Sequence, residues 1–193
     1  VFEKIYAEEE KHLFKFQEYI KFEDEPEESR TATLSEWRKI FTDDYFTLLN
    51  KAVAAEISAI IQYTNQHEKA ALLALREKNT ALEVIKESNK TKVVSDLLKT
   101  IFLVEMEHLE KISERIYLLE GEATYNPDPL PQAGDTADDF LKLDHEAENY
   151  AIVLYRKIID EALKRRDTKT RRMFEEIVMQ EEDHYWTFDD FLR

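Results

Sequence analysis

Three of the four prolines in this 193-residue chain, Pro127, Pro129 and Pro131, crowd into one short stretch, and there are only two glycines. That distribution constrains the fold more than any other feature. Gly and Pro punctuate a chain, so a sequence with so few of them makes few turns. It is then built from a small number of long elements, which favours helices over many short strands. Charged residues make up 36% of the chain, as the solvated faces of long helices require. The length suits one domain able to bury a real core. The stretch "EATYNPDPLPQAGDTA", which holds the clustered prolines, is the clearest loop and divides the chain into two halves.

Helical periodicity marks two long elements on each side of that loop. The first runs from about Asp43 to Glu77. The second runs from about Thr91 to Glu120, where Gly121 reads as a C-cap. Between them, "KNTALEVIKESNK" (78–90) reads equally as continued helix, short helix or loop. The third pattern runs from about Ala137 to Arg166 and the fourth from about Asp167 to Leu192. Short connections make antiparallel neighbours, whereas a long connection lets the second pair cross the bundle. The expected architecture is therefore all-α, a four-helix bundle with a long crossover between helices two and three. Upstream, Phe2, Ile5, Tyr6, Leu13, Phe16 and Ile20 fall at roughly helical spacing and predict a further amphipathic helix. The acidic "EDEPEESRTAT" separates it from the bundle, and Thr33 or Ser35 offers a cap for "LSEWRKIF". Residues 1–33 are thus expected to form an extension and linker, and 34–193 the bundle domain.

The two halves carry a matching pattern. The first has Glu56 on helix one and Glu105-x-x-His108 on helix two; the second has Glu148 on helix three and Glu181-x-x-His184 on helix four. Residues three apart share a helix face, so one helix can offer Glu and His to one metal. Two metals about 3.5–4 Å apart need bridging groups, and a carboxylate has two oxygens to bridge with. One Glu-x-x-His alone is weak evidence; Glu9-x-x-His12 has the same spacing and reads as a charged, exposed face. The set as a whole is stronger. Glu56 lies in the otherwise apolar "AVAAEISAIIQY", and Glu148 shares a face with Ile152 and Tyr155. A buried carboxylate is costly unless paired or metal-bound. Four carboxylates and two imidazoles converging in a bundle core form the ligand set of a di-iron or di-manganese site.

Composition narrows the rest. The net charge of -15 repels nucleic-acid phosphates and attracts cations. Cysteine is absent, which excludes disulfides, thiolate sites and iron–sulfur clusters. Oxygen and imidazole ligands remain, and they suit iron, manganese or zinc. No apolar run approaches the ~18 residues of a membrane span, and the acidic start has no signal-peptide core. The expectation is a cytoplasmic protein with no nucleic-acid or membrane partner.

The segments "EISAIIQY" (56–63), "EMEHLEKISERIYLLEG" (105–121), "ENYAIVLYRKII" (148–159) and "EEDH" (181–184), with their separations, resemble bacterioferritin and its relatives in the ferritin-like superfamily. The resemblance covers about 43–193. It implies a ferritin-like four-helix bundle with a ferroxidase centre. Glu56, Glu105, His108, Glu148, Glu181 and His184 would bind two irons, with manganese as the alternative metal, and dioxygen or hydrogen peroxide would oxidise Fe²⁺ to Fe³⁺ in iron storage or detoxification. The chain departs from the family in its N-terminal extension, in a longer interval between Glu56 and Glu105, and in ending at helix four. Rubrerythrins carry an additional Glu where this chain has Ala151.

Tyr63, seven residues after Glu56 and on the same face, reads as a core tyrosine bonded to a ligand carboxylate; the resemblance adds the role of electron donor. Tyr155 stands in the same relation to Glu148 and reads as structural. Met106 points about 100° away from Glu105. The resemblance gives that position to a haem-ligating methionine at a dimer interface, while ordinary packing is the plainer reading. With Phe102 also expected to project outward, at least a homodimer is predicted. His67 and His145 read as surface or rim residues with the capacity to hold iron in transit. Two other functions fit the same sequence: a rubrerythrin-like or manganese-catalase-like enzyme that removes peroxide without storing iron, and a metal-free helical interaction protein.

Overall fold

The computed structural model describes residues 41–77 and 82–193. The expected N-terminal helix, its linker, Glu9, His12 and the Thr33/Ser35 cap lie outside the described residues. The rest contains four helices: α1 (Asp43–Glu77), α2 (Leu82–Leu118), α3 (Ala137–Lys164) and α4 (Thr168–Leu192). Among the described residues none is long and apolar enough to cross a membrane.

Three of the helices match the periodicity closely, but α2 begins nine positions earlier than expected at Thr91. The ambiguous "LEVIKESNK" is helical because nothing in it breaks a helix. This explains the longer interval between Glu56 and Glu105. Lys69 pairs with Asp135 and Lys90 with Asp138, so α3 starts level with those two lysines. The α1–α2 hairpin runs on beyond them by about two helical turns.

The end of α2 corrects a second expectation. The residue in the left-handed region is Glu120, with φ 66°, not Gly121. The amide of Gly121 donates to Ile116 O at 2.9 Å and that of Glu120 to Tyr117 O at 2.9 Å, the bonding of a Schellman motif. Gly121 is needed for space instead: a Cβ there would lie 2.4 Å from the Phe46 ring. The end of α3 uses the same device, with Arg166 at φ 60° and the Asp167 amide donating to Ala162 O at 2.8 Å. Asp167 then caps α4 by accepting from the Thr170 amide, so one residue closes one helix and opens the next. Thr136 and Asp139 form a capping box at the start of α3.

The crossover is held against α1 at successive levels. Asn50 donates to Glu122 O (2.9 Å) and accepts from the Thr124 amide (2.7 Å). The Asp128 amide donates to Ala54 O (3.2 Å), the Gln132 amide to Gln62 Oε1 (2.7 Å), and Lys69 to Gly134 O. From Asn50 to Lys69 the segment climbs about 28 Å along α1, a reach that the extended, Pro-rich sequence suits. The helices therefore run up, down, down, up, with the crossover carrying the chain back before α3 descends.

Two apolar layers fill the bundle. The upper is built from Tyr63, Ala70, Val94, Leu98, Ile101, Phe140, Leu141 and Phe188. The lower includes Leu49, Ile112, Ile116, Ile158 and Phe174. The charged cluster lies between them.

Candidate metal centre

Glu56, Glu105, His108, Glu148, Glu181 and His184 meet in this middle layer, and none is more than 9% exposed. They form two overlapping quartets: Glu56, Glu105, His108 and Glu181 on one side, and Glu105, Glu148, Glu181 and His184 on the other. Within each quartet the candidate ligand atoms all lie within 4.8 Å of one another. Glu105 and Glu181 belong to both. Glu105 Oε2 stands 3.2 Å from His108 Nδ1, and Oε1 stands 3.0 Å from His184 Nδ1. Glu181 does likewise, with Oε1 3.1 Å from His108 Nδ1 and Oε2 3.3 Å from His184 Nδ1. Glu56 and Glu148 sit at the outer ends, 3.9 Å from His108 Nδ1 and 3.7 Å from His184 Nδ1.

The helix phases explain the convergence. On α2 and α4 the spacing of three puts Glu and His on one inward face, one turn apart. On α1 and α3 a single inward Glu is followed two turns later by a tyrosine. Those tyrosines bond crosswise: Tyr63 donates to Glu148 Oε1 at 2.8 Å, and Tyr155 donates to Glu56. The expected carboxylate bond of Tyr63 is present. The bond of Tyr155 is to the glutamate of the opposite helix, which a single helix's spacing cannot reveal.

The electrostatics are those of a cluster with too many carboxylates for its donors. Burial, and then the charges of Glu181 and Glu105, push the Glu56 carboxyl well above the usual range; the same causes act on Glu148. Burial also opposes charge on Glu105, yet the His108 and His184 imidazoles beside it hold it down at about 2. For His108, burial works against the imidazolium, but the Glu105 and Glu181 carboxylates beside it raise it to about 11. His184 is raised in the same way by Glu105, Glu148 and Glu181. Protons thus occupy places where cations would go. Glu105 Oε1 and Glu181 Oε1 lie 3.0 and 3.1 Å from imidazole nitrogens but make no aligned hydrogen bond. Unsatisfied buried oxygens of this kind, with imidazoles beside them, fit a pair of divalent cations.

Three residues around the cluster escaped the sequence reading. His108 Nε2 lies 2.9 Å from Gln180 Oε1; a proton donated there fixes the ring with Nδ1 turned towards the carboxylates. Gln62 Nε2 donates to Asp144 Oδ1 at 2.9 Å. Asp144 is wholly buried, and burial raises its carboxyl to about 8 although Gln62 and Gln66 favour the ionised form. Its position four residues before Glu148 on the inward face was the available signal. His67 is partly buried at the rim, with Nδ1 2.8 Å from Ser95 O. His145 stacks on Tyr185 at 4.0 Å. Neither joins a metal-type cluster among the described residues. Met106 is half-exposed, turned away from the cluster as expected. Phe102 is not: it packs on the upper apolar layer near the His67 ring, so it does not extend an outer apolar face with Met106.

A family model described as a ferritin-like domain matches residues 81–193, which covers α2 to α4. The chain is 28% identical over 143 residues to a bacterioferritin of Desulfovibrio desulfuricans, covering 74% of this chain and 71% of that protein. It is 29% identical over 137 residues to a bacterioferritin of Rhodobacter capsulatus, covering 70% and 74%. The solved Desulfovibrio desulfuricans bacterioferritin, whose diiron site was reduced and then reoxidised before crystallisation, superposes with a TM-score of 0.62 at 27% identity, over 77% of this chain and 78% of that one. A ferritin-like diiron-carboxylate protein of Bacillus anthracis shares the fold, with a TM-score of 0.64 at 23% identity over 78% and 96%. The matched model spans more than half of the chain, and the chain belongs to the ferritin-like domain family, with bacterioferritins among its relatives.

Proposed function

We propose that this chain is a ferroxidase that takes up two Fe²⁺ in its middle layer and oxidises them to Fe³⁺, with dioxygen or hydrogen peroxide accepting the electrons. The observation that carries this reading is the double reach of Glu105 and Glu181, each of which offers one oxygen towards His108 and the other towards His184. Two carboxylates so placed suit bridging a pair of ions. Glu56 with His108, and Glu148 with His184, suit the terminal positions. The bacterioferritin relatives and the diiron site named for the Desulfovibrio desulfuricans protein support the same conclusion.

The protein's part is to hold this geometry before the substrate arrives. Tyr63 and Tyr155 orient Glu148 and Glu56 through their hydroxyls, and Gln180 sets the His108 ring. Loading displaces protons from Glu56, Glu148, His108 and His184, as ligation requires. Two Fe²⁺ supply two electrons, which reduce dioxygen with two protons to hydrogen peroxide, or hydrogen peroxide with two protons to water. The displaced protons are at hand for this. Tyr63, bonded to a ligand carboxylate, is the residue to supply a further electron. The half-exposed Met106 and Leu103 on α2 support a reading of that face as a subunit contact, with Met106 available to a haem.

The test is anaerobic Fe²⁺ titration followed by exposure to oxidant. Saturation at two ions per chain and fast oxidation are expected, and Glu56→Ala with His108→Ala should abolish the fast phase. Unchanged oxidation kinetics in that variant would overturn the reading. Uptake of many irons per chain adds storage, whereas two with sustained peroxide consumption moves the protein to peroxide detoxification.

A further inference from the structure

The middle layer is closed along the bundle axis by the two apolar layers, so a cation has to arrive from the side. A cavity of about 360 Å³ opens between α1 and α3, and its floor is Glu56, Glu105, Glu148 and Glu181. Glu105 Oε1 and Glu181 Oε1, which make no aligned hydrogen bond, belong to residues of this floor, both at least 98% buried. The gap exists because the facing walls are small: Ala55 and Ala59 on α1 meet Ala147 and Ala151 on α3. Larger side chains would let the helices interlock there, as they do in the layers above and below.

The rim is acidic on both sides. Asp128 comes from the crossover and Glu146 from α3, and both are exposed and line the same cavity. The crossover is fixed at this level by the Asp128 amide on Ala54 O and the Gln132 amide on Gln62 Oε1. Asp128 therefore stands on a pinned segment. Among the described residues neither rim carboxylate makes an ion pair or a side-chain hydrogen bond, while the neighbouring Asp135 and Asp138 are both held by lysines.

We propose that this cleft is the route by which Fe²⁺ reaches the centre, and that Asp128 and Glu146 are positioning residues that gather the hydrated cation at its mouth. The inference rests on the ferroxidase reading and adds the path and the residues that serve it. Two carboxylates at a narrow mouth with low-dielectric walls concentrate cations and speed their capture, an effect that salt suppresses. Rim and floor carboxylates then form a graded route. The rim groups keep contact with water, and the floor groups replace the hydration shell.

The test uses Co²⁺ as a redox-inert probe, followed by its absorption on rapid mixing without oxygen. In Asp128→Asn/Glu146→Gln, both substitutions are on exposed side chains. The bimolecular rate of Co²⁺ uptake at low ionic strength should fall by about tenfold, the gap should close at high salt, and saturation should stay at two ions per chain. Rescue of the rate by Asp128→Glu with Glu146→Asp would support the charge-gathering role. Equal rates for wild type and the Asn/Gln variant at low salt would overturn the route while leaving the centre intact. Failure of the wild type to take up Co²⁺ at all would overturn both readings.

Discussion

Two of the buried polar clusters in the bundle differ in how well they are satisfied. At the lower end, Asp167 sits among Arg115, Thr170 and Tyr45, all at most 8% exposed. Arg115 donates from Nη2 to Asp167 Oδ1 and from Nε to Thr170 Oγ1, both at 2.7 Å, and Tyr45 donates to Asp167 Oδ2 at 3.1 Å. One carboxylate meets one guanidinium, and both its oxygens are used. In the middle layer, four carboxylates meet two imidazoles, and Glu105 Oε1 and Glu181 Oε1 stand beside imidazole nitrogens without an aligned hydrogen bond. A cluster that closes on itself serves the fold. One left with surplus acceptors is shaped for something else to complete it.

The largest effect that tests this contrast is on the middle layer. Burial and the neighbouring carboxylates favour the neutral form of Glu56 and Glu148 in the metal-free protein, and Gln imitates that form. Glu56→Gln with Glu148→Gln should weaken divalent-metal binding by more than ~100-fold, judged against the loss of a mere outer partner. The metal-free stability should be equal or higher, and should decline less as pH rises above the ordinary carboxyl range, because the raised wild-type carboxyls lose stability in that direction. Metal titration by calorimetry and chemical denaturation read the two properties separately. A variant that is unfolded, or that binds normally, breaks the comparison.

Arg115→Met should do the opposite. It strands Asp167 as a buried, unpaired charge and should cost about 3–5 kcal/mol in chemical denaturation, while the folded fraction keeps its two-ion stoichiometry. Loss of metal binding without loss of stability would show that the lower cluster belongs to the site.

Asp144 gives an intermediate case, buried and only half satisfied. The folded protein keeps its proton up to about pH 8, whereas its ordinary value is 3.8. Folding then binds the proton that the unfolded chain releases, so wild-type stability falls as pH rises across that window and levels off above it. Asp144→Asn removes this dependence and retains an acceptor for Gln62. Its advantage over wild type should grow from near zero at pH 4 to on the order of a few kcal/mol at pH 8. Denaturation curves across that range test it, and a constant difference would mean that Asp144 stays ionised.

The smallest effect concerns residues 1–33, which we propose as a separate extension. All six cluster residues lie between Glu56 and His184, so deleting 1–33 should leave the Co²⁺ stoichiometry and the oxidation rate within about twofold, with any change confined to assembly or stability. Loss of metal binding in a folded truncated chain would overturn the division.

Much of this molecule was legible without coordinates. The scarcity of Gly and Pro dictated long helices, because turns need those residues. The single Pro-rich stretch dictated where the chain crosses over. Carboxylates inside apolar stretches, at a spacing of three from histidine, marked the inward faces, because burying them alone is unfavourable. Other features depended on distances between helices, which no one-dimensional pattern contains. These include the crosswise tyrosines, the Gln180 contact with His108 and the acidic rim built by the crossover against α3. The C-caps show the limit most clearly. Glycine at 121 suggested a left-handed residue, but the turn places that conformation on Glu120, and the glycine answers to the Phe46 ring packed against it. Local chemistry determined which residues face inward. Tertiary packing decided which partners they found there, because those partners come from other helices.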